Sequence, residues 1–184
     1  MDLVTPAVEH LQGYARALER GWSPDNTRPE AGLEELQLIA GDPVRFIAQQ
    51  TDPLGKGPPV KLPDGSTVPR LPGFHRWMWD GEFCGSIGVR WQPGTEALPP
   101  HCLGHIGYSV VPWKRRLGYA TRALGMLLPD LRPQGLRFVE LTAERDNIAS
   151  HRVIEANGGV RVGTFSKPEA HGGAESFRFR ISLA

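Results

Sequence analysis

Gly104-His-Ile-Gly-Tyr-Ser-Val-Val-Pro-Trp-Lys-Arg-Arg-Leu-Gly-Tyr-Ala-Thr121 is the stretch from which the rest of the chain is read. Its first half, Gly104 to Val111, has the look of a strand, and Pro112 ends it. A basic turn, Lys114-Arg115-Arg116, follows, and Gly118 lets the backbone reverse tightly. A helical pattern then covers residues 117–128, with Leu117, Ala120, Leu124 and Leu127 or Leu128 in register. Backbone N–H groups at a turn that opens a helix form an anion cradle, and neighbouring guanidiniums add charge and paired donors. A pyrophosphate would be held in this way. The stretch is no P-loop, since Gly55-Lys56 is followed by Gly57, and no G-x-G-x-x-G follows a strand. Spacing alone leaves open a basic turn before an ordinary surface helix.

Around this stretch the composition sets limits. The chain has 184 residues, enough for one domain with its own core. Gly 22 and Pro 17 lie well above ordinary usage. Both residues break helix interiors, so an all-helical fold is excluded. Lys and Arg number 21 against 20 Asp and Glu, a net charge of +1. That balance argues against a nucleic-acid partner. Cys84 and Cys102 allow at most one bridge, which fits a reducing compartment. Met1 to Leu11 carries Asp2, Glu9 and His10 and has no apolar stretch of a signal peptide. No apolar run approaches the ~20 residues that span a bilayer. A cytoplasmic location and no membrane partner are expected.

Periodicity gives the order of elements. Leu3-Val4 starts a short strand, and Ala7 to Arg20 forms a helix with Val8, Leu11, Ala15 and Leu18 on one face. A second helix covers Pro29 to Ala40, with Leu33, Leu36 and Ile39 or Ala40 inward, and Val44 to Gln50 adds a short one. Residues 51–73 hold six prolines and four glycines and read as a long loop, with a small hairpin at Val60, Leu62 and Asp64-Gly65. Phe74 to Trp79 and Glu82 to Trp91 are strands joined at Asp80-Gly81, a strong hairpin signal. After the turn helix, Leu136 to Ala143 is a strand and Asn147 to Ala156 a helix stopped by Asn157-Gly158-Gly159. Val160 to Phe165 and Ser176 to Leu183 close the chain as strands. The class is mixed α/β (α+β), one domain over residues 1–184.

Arg115-x-x-Gly118-x-Ala120 after Val110-Val111-Pro112 resembles the [RQ]-x-x-G-x-[GA] motif of the GNAT N-acetyltransferases. Leu141-Thr-Ala-Glu-Arg-Asp-Asn-Ile-Ala-Ser150, then Val153-Ile154 and Asn157-Gly158-Gly159, resembles that family's next segment, in the right order and at the right separation. The likeness spans about residues 74–165 and is nearest a bacterial branch of predicted acetyltransferases.

The resemblance implies a mixed central sheet of about six to seven strands with about four helices. It implies a cofactor core at about 104–160, with parallel strands 104–111 and 136–143 splayed around acetyl-CoA, the cosubstrate. Val110 and Val111 would pair with the pantetheine arm. Arg115, Arg116, Leu117, Gly118, Tyr119, Ala120 and Thr121 would hold the pyrophosphate. Asn147 and Ser150 would face the thioester, and an N–H near Val110 would polarise its carbonyl. An amine of a small molecule or peptide would attack the thioester directly. Dimers are common in similar proteins, so a homodimer is one expectation.

Ile154 stands where the family often carries a Tyr as acid, so Tyr108 or Ser150 is the candidate donor. The departure also keeps open a non-catalytic acyl-CoA-binding domain. His105 is the first candidate base and Glu140 the second. A packed histidine and a solvated carboxylate are the structural alternatives. Trp77, Trp79 and His75 share a strand face and either line an acceptor pocket or pack the sheet. Glu34 and Glu35 either attract a cationic amine or sit on a solvated helix face. His101, Cys102 and His105 lie in loop and strand, too far apart for a metal site, so no metal is expected.

Overall fold

The computed structural model describes residues 1–62, 64–171 and 173–183. Its centre is the hairpin that Asp80-Gly81 announces. β5 (Gly73–Trp79) pairs antiparallel with β6 (Phe83–Arg90), and Gly81 adopts a φ of +106° at the turn. β1 (Asp2–Val4) joins the far edge of β5, and β7 (Ile106–Val110) joins β6. β2 (Thr51–Asp52) pairs with the start of β5, giving a five-stranded sheet. A second sheet has the order β8 (Phe138–Glu144), β10 (Glu175–Ser182), β9 (Val160–Ser166). The 51–73 loop carries the expected hairpin, β3 (Val60–Lys61) with β4 (Thr67–Val68); Pro63 lies outside the described residues.

Alternation along β5 sends neighbours to opposite faces. Met78 joins a core with Ile87, Val89 and Ile106, covered by α4 (Tyr119–Leu127) through Ala123, Leu124 and Leu127. α5 (Ile148–Glu155) adds Ile154 to that core. Trp77 points the other way. It stacks on Tyr14 at 4.4 Å, within a cluster of Trp22, Phe46 and Phe83. Trp77 is thus sheet packing and not pocket lining. Tyr14 comes from α1 (Leu11–Glu19), and Phe46 from α3 (Pro43–Ala48), which follows α2 (Ala31–Gly41).

Several boundaries depart from expectation. The first helix opens with a 3-10 turn, Val8–His10, and its inward stripe is Leu11, Tyr14, Ala17 and Leu18, leaving Val8 exposed. α2 fully buries only Ala31 and Gly32; Leu36 and Ile39 pack partly against the aromatic cluster as expected, whereas Leu33, expected inward, is exposed. α4 starts at Tyr119 because Gly118 holds a φ of +75°, and Leu117 is left exposed. β7 begins only at Ile106, since the N–H of His105 leaves for the second sheet.

Because Trp77 is fully buried against the rings of Tyr14 and Phe83, Trp77→Ala is expected to cost about 3–5 kcal/mol of stability, measured by urea denaturation.

Candidate active site

The two sheets do not continue into each other. Among the described residues no ladder joins β7 to β8. They are joined at one end by a two-part contact. The His105 N–H donates to the Glu140 carbonyl at 2.7 Å, and the Glu140 N–H donates to His105 Nδ1 at 3.0 Å. The imidazole thus takes the place of a strand carbonyl. Gly104 permits the approach, since a Cβ there would lie 2.9 Å from the Glu140 oxygen. Beyond this joint the strands part. Val111 N–H is spent on Cys84, so alternation turns the polar groups of Val110 into the gap.

The gap runs into a cleft of about 1740 Å³, more than the ~300–1,000 Å³ of a single small-molecule site. One end is the basic turn. Arg116 adopts a φ of +64° and Gly118 one of +75°, which sets successive N–H groups into a concave nest. α4 has no side-chain cap. Its first bond runs from Arg122 N–H to the Gly118 carbonyl, so the preceding N–H groups lack intrahelical partners. Arg115, Arg116, Gly118, Tyr119, Ala120 and Thr121 line the cleft here. Lys114 does not serve this turn, because its ammonium is engaged by Glu82 at 2.8 Å and Asp80 at 3.0 Å. The Tyr119 hydroxyl also donates to Asp80. Burial pushes the Asp80 carboxyl up, but these donors outweigh it and hold it well below the usual range. Arg115 Nε donates to the Val110 carbonyl at 3.3 Å.

At the middle of the cleft, Tyr108 and Ser150 are brought together. The Tyr108 hydroxyl is buried with no well-aligned hydrogen-bond partner, and Ser150 is the side chain that faces it. Burial raises the Tyr108 pKa and Ser150 draws it partly back, so the hydroxyl keeps its proton at neutral pH. Asn147 lies beside them, with its Oδ1 accepting the Ser150 N–H as the cap of α5. Ile154 is buried in the core and cannot take part.

Neither candidate base reaches the cleft. His105 is 0% exposed, with its Nδ1 lone pair on Glu140, so the ring proton stays on Nε2. Burial lowers its pKa, against an opposing pull from Glu140. The Glu140 carboxylate turns instead to Arg180 at 2.8 Å and Arg178 at 3.7 Å. Alternation along a strand does not say which ring becomes a strut, so sequence periodicity had no means of excluding them.

The far end of the cleft is lined by α2, the 51–73 loop and the row His75, Gly88, Gly107 across β5–β7. Glu34 is saturated by Arg28 and Lys61. Burial pushes the Glu35 carboxyl up to about 7, offset in part by a hydrogen bond from Tyr14. His75 is pushed down to about 4 by burial and by Arg90 and Arg70. The connection from α1 to α2 is tied to β7: Trp22 Nε1 donates to Ser109 Oγ at 2.9 Å, and Asn26 Nδ2 to the Tyr108 carbonyl at 3.1 Å.

The sequence profile of the acetyltransferase (GNAT) family matches residues 48–158. The chain belongs to the GNAT acetyltransferase family. The match includes the strand gap and the turn that opens α4, and it makes the protein an acyltransferase. Solved structures support the fold. The microcin C7 self-immunity acetyltransferase MccE, in complex with acetyl-CoA and AMP, is 11% identical with a TM-score of 0.63, over 98% of this chain and 91% of its own. RimL, the ribosomal L7/L12 alpha-N-protein acetyltransferase in complex with coenzyme A, is 14% identical with a TM-score of 0.62, over 98% and 92%. A GNAT-family protein from Bordetella pertussis is 14% identical with a TM-score of 0.56, over 98% and 94%. A comparison with curated protein sequences gives no match. No helix among the described residues of this acetyltransferase is long and apolar enough to cross a membrane.

The joint at His105 yields a prediction. His105→Leu leaves the Glu140 N–H without its acceptor, for a loss of about 1–2 kcal/mol and faster hydrogen exchange at that amide. His105→Asn, whose Oδ1 can accept the same bond, keeps most of both.

Proposed function

We propose that this protein transfers the acetyl group of acetyl-CoA directly to a primary amine of a small molecule or peptide. The observation that carries the reading is the nest at Arg116 to Gly118, set at the uncapped start of α4 where β7 stands apart from β8. The N–H groups there and the Arg115 and Arg116 guanidiniums suit a pyrophosphate, with the positive end of the helix dipole adding to the attraction. Two of the fold neighbours are complexes with acetyl-CoA or coenzyme A, which supports the same cosubstrate here.

The Val110 backbone faces the gap and suits the pantetheine arm, and its N–H is placed to polarise the thioester carbonyl. The amine nitrogen attacks that carbonyl and the carbon–sulfur bond then breaks. Tyr108, protonated and facing Ser150, gives its proton to the departing thiolate and is reprotonated by the nitrogen of the intermediate. This arrangement compensates for Ile154 at the position that often supplies the family's acid.

Isothermal calorimetry with CoA and a thiol-release assay with acetyl-CoA and an amine panel test the proposal. Gly118→Glu sets a carboxylate into the nest and is expected to weaken CoA at least tenfold, about 1.4 kcal/mol. Gly118→Ala separates backbone strain from charge and is expected to weaken CoA less. Tyr108→Phe is expected to lower kcat by on the order of 10²-fold with CoA affinity nearly unchanged. CoA binding without thiol release for any amine would instead favour the non-catalytic acyl-CoA-binding reading.

A further inference from the structure

With His105 and Glu140 turned away from the cleft, the proton acceptor must be sought elsewhere, and the acceptor end offers a group of the right kind. Glu35 projects from α2 into the cleft. Among the described residues, its one hydrogen-bond partner is the Tyr14 hydroxyl, which donates to Oε2, and no cation lies within ion-pair distance. The other carboxylates at this end are already spent. Glu34 holds Arg28 and Lys61. Asp52 accepts the Lys56 and Gly57 N–H groups, and Asp25 and Asp42 accept local N–H groups of their own turns. Glu35 therefore keeps an oxygen, Oε1, for a ligand.

Its partner is rigid. Tyr14 is 1% exposed, stacked on Trp77 and edged by Trp22 and Phe83. Trp77 shares a cross-strand row with Ser86 and Ser109, and Ser109 directly precedes the thioester strand position Val110. The aromatic stack thus references Glu35 to the strand along which the cofactor would lie.

We infer that Glu35, oriented by Tyr14, receives the ammonium group of the acceptor and takes the proton that frees its nitrogen for attack. The inference rests on the acetyl-transfer reading. Oε1 accepts one N–H proton, leaving a neutral amine and a carboxylic acid that returns the proton to solvent after turnover. The second nitrogen proton leaves from the intermediate by way of Tyr108.

The groups that face Glu35 are Tyr14 from α1, Asp25 from the α1–α2 connection, Arg70 from the loop ahead of β5 and Glu34 from its own helix. Arg70 lies beyond ion-pair distance and places its Nε on the Pro58 carbonyl. Burial outweighs the Tyr14 bond and raises the carboxyl toward neutrality, where proton exchange with an amine is most effective. His75, also at this end, is pushed down to about 4 by burial and by Arg90 and Arg70, too weak a base to take an ammonium proton.

The test uses the full chain and n-butylammonium as probe, with acetyl-CoA affinity measured separately by calorimetry. In protein carrying 13C-labelled glutamate, the probe is expected to move the Glu35 carboxyl resonance. Glu35→Gln is expected to weaken the probe at least tenfold with acetyl-CoA affinity unchanged. Tyr14→Phe removes a bond that lowers the Glu35 pKa, so probe binding persists but sets in at higher pH. A probe that ignores the Glu35 resonance, or binds Glu35→Gln as tightly, overturns the docking role. For the proton, kcat/KM with butylamine should rise through pH 7 and lose that limb in Glu35→Gln, falling by on the order of 10²-fold. An unchanged profile, or no acetylation of the bound probe, overturns the base role. A failure of acetyl-CoA to bind counts against the transferase reading alone, since the probe titration does not require it.

Discussion

The opening between β7 and β8 depends on one joint. His105 and Glu140 exchange two hydrogen bonds, one through the backbone and one through the imidazole, where a continuous sheet would use backbone alone. A side-chain acceptor reaches farther from its Cα than a carbonyl does. The strands are therefore fastened without being drawn into a ladder, and the Val110 N–H stays turned to the gap, while the Tyr108 and Val110 carbonyls are taken by Asn26 and Arg115. The close approach needs a residue without a Cβ, and Gly104 supplies it. The groups that suit a cofactor follow that joint along the chain: the Val110 N–H turned to the gap, the nest before α4, and the facing pair Tyr108 and Ser150.

Much of this was legible beforehand. Asp80-Gly81 specified the central hairpin because few residue pairs tolerate its turn conformation. Gly118 marked the nest for the same reason, and Asn147 marked the start of α5 as a capping residue. These are local signals, and local chemistry writes them directly into the residues. What was not legible depends on distant partners. Lys114 looks like part of the anion site until Asp80 and Glu82, some thirty residues earlier, are seen to hold it. Glu34 and Glu35 are adjacent and identical in type. Only the tertiary structure gives one to Arg28 and Lys61 and the other to Tyr14. His105 looked like a base because its type suits proton transfer, whereas its surroundings spend that lone pair on a backbone amide.

The balanced net charge has a structural meaning of its own. A net charge of +1 supplies little long-range attraction for an anion, so attraction at the nest comes from oriented dipoles and two guanidiniums at short range. Such a site suits a compact, highly charged group and rejects an extended polyanion. At the other end of the cleft, opposite charges are interleaved and mostly mutually cancelled, which leaves a small number of groups to set acceptor selectivity.

The link from the α1–α2 connection to β7 has a kinetic consequence. Trp22 and Asn26 bond to Ser109 and Tyr108, and Ser109 in turn donates to the Ser23 carbonyl. The segment leading into α2 is thereby clamped to the strand that precedes the thioester position. A shift of β7, such as a cofactor settling along its edge would bring, would carry that segment with it, and with it the carboxylate on α2. Occupancy at one end of the cleft would then be felt at the other through these three hydrogen bonds. Under the proposed acetyl transfer, such a coupling would favour an ordered sequence, in which the nucleotide-bearing substrate enters first and completes the pocket for the amine.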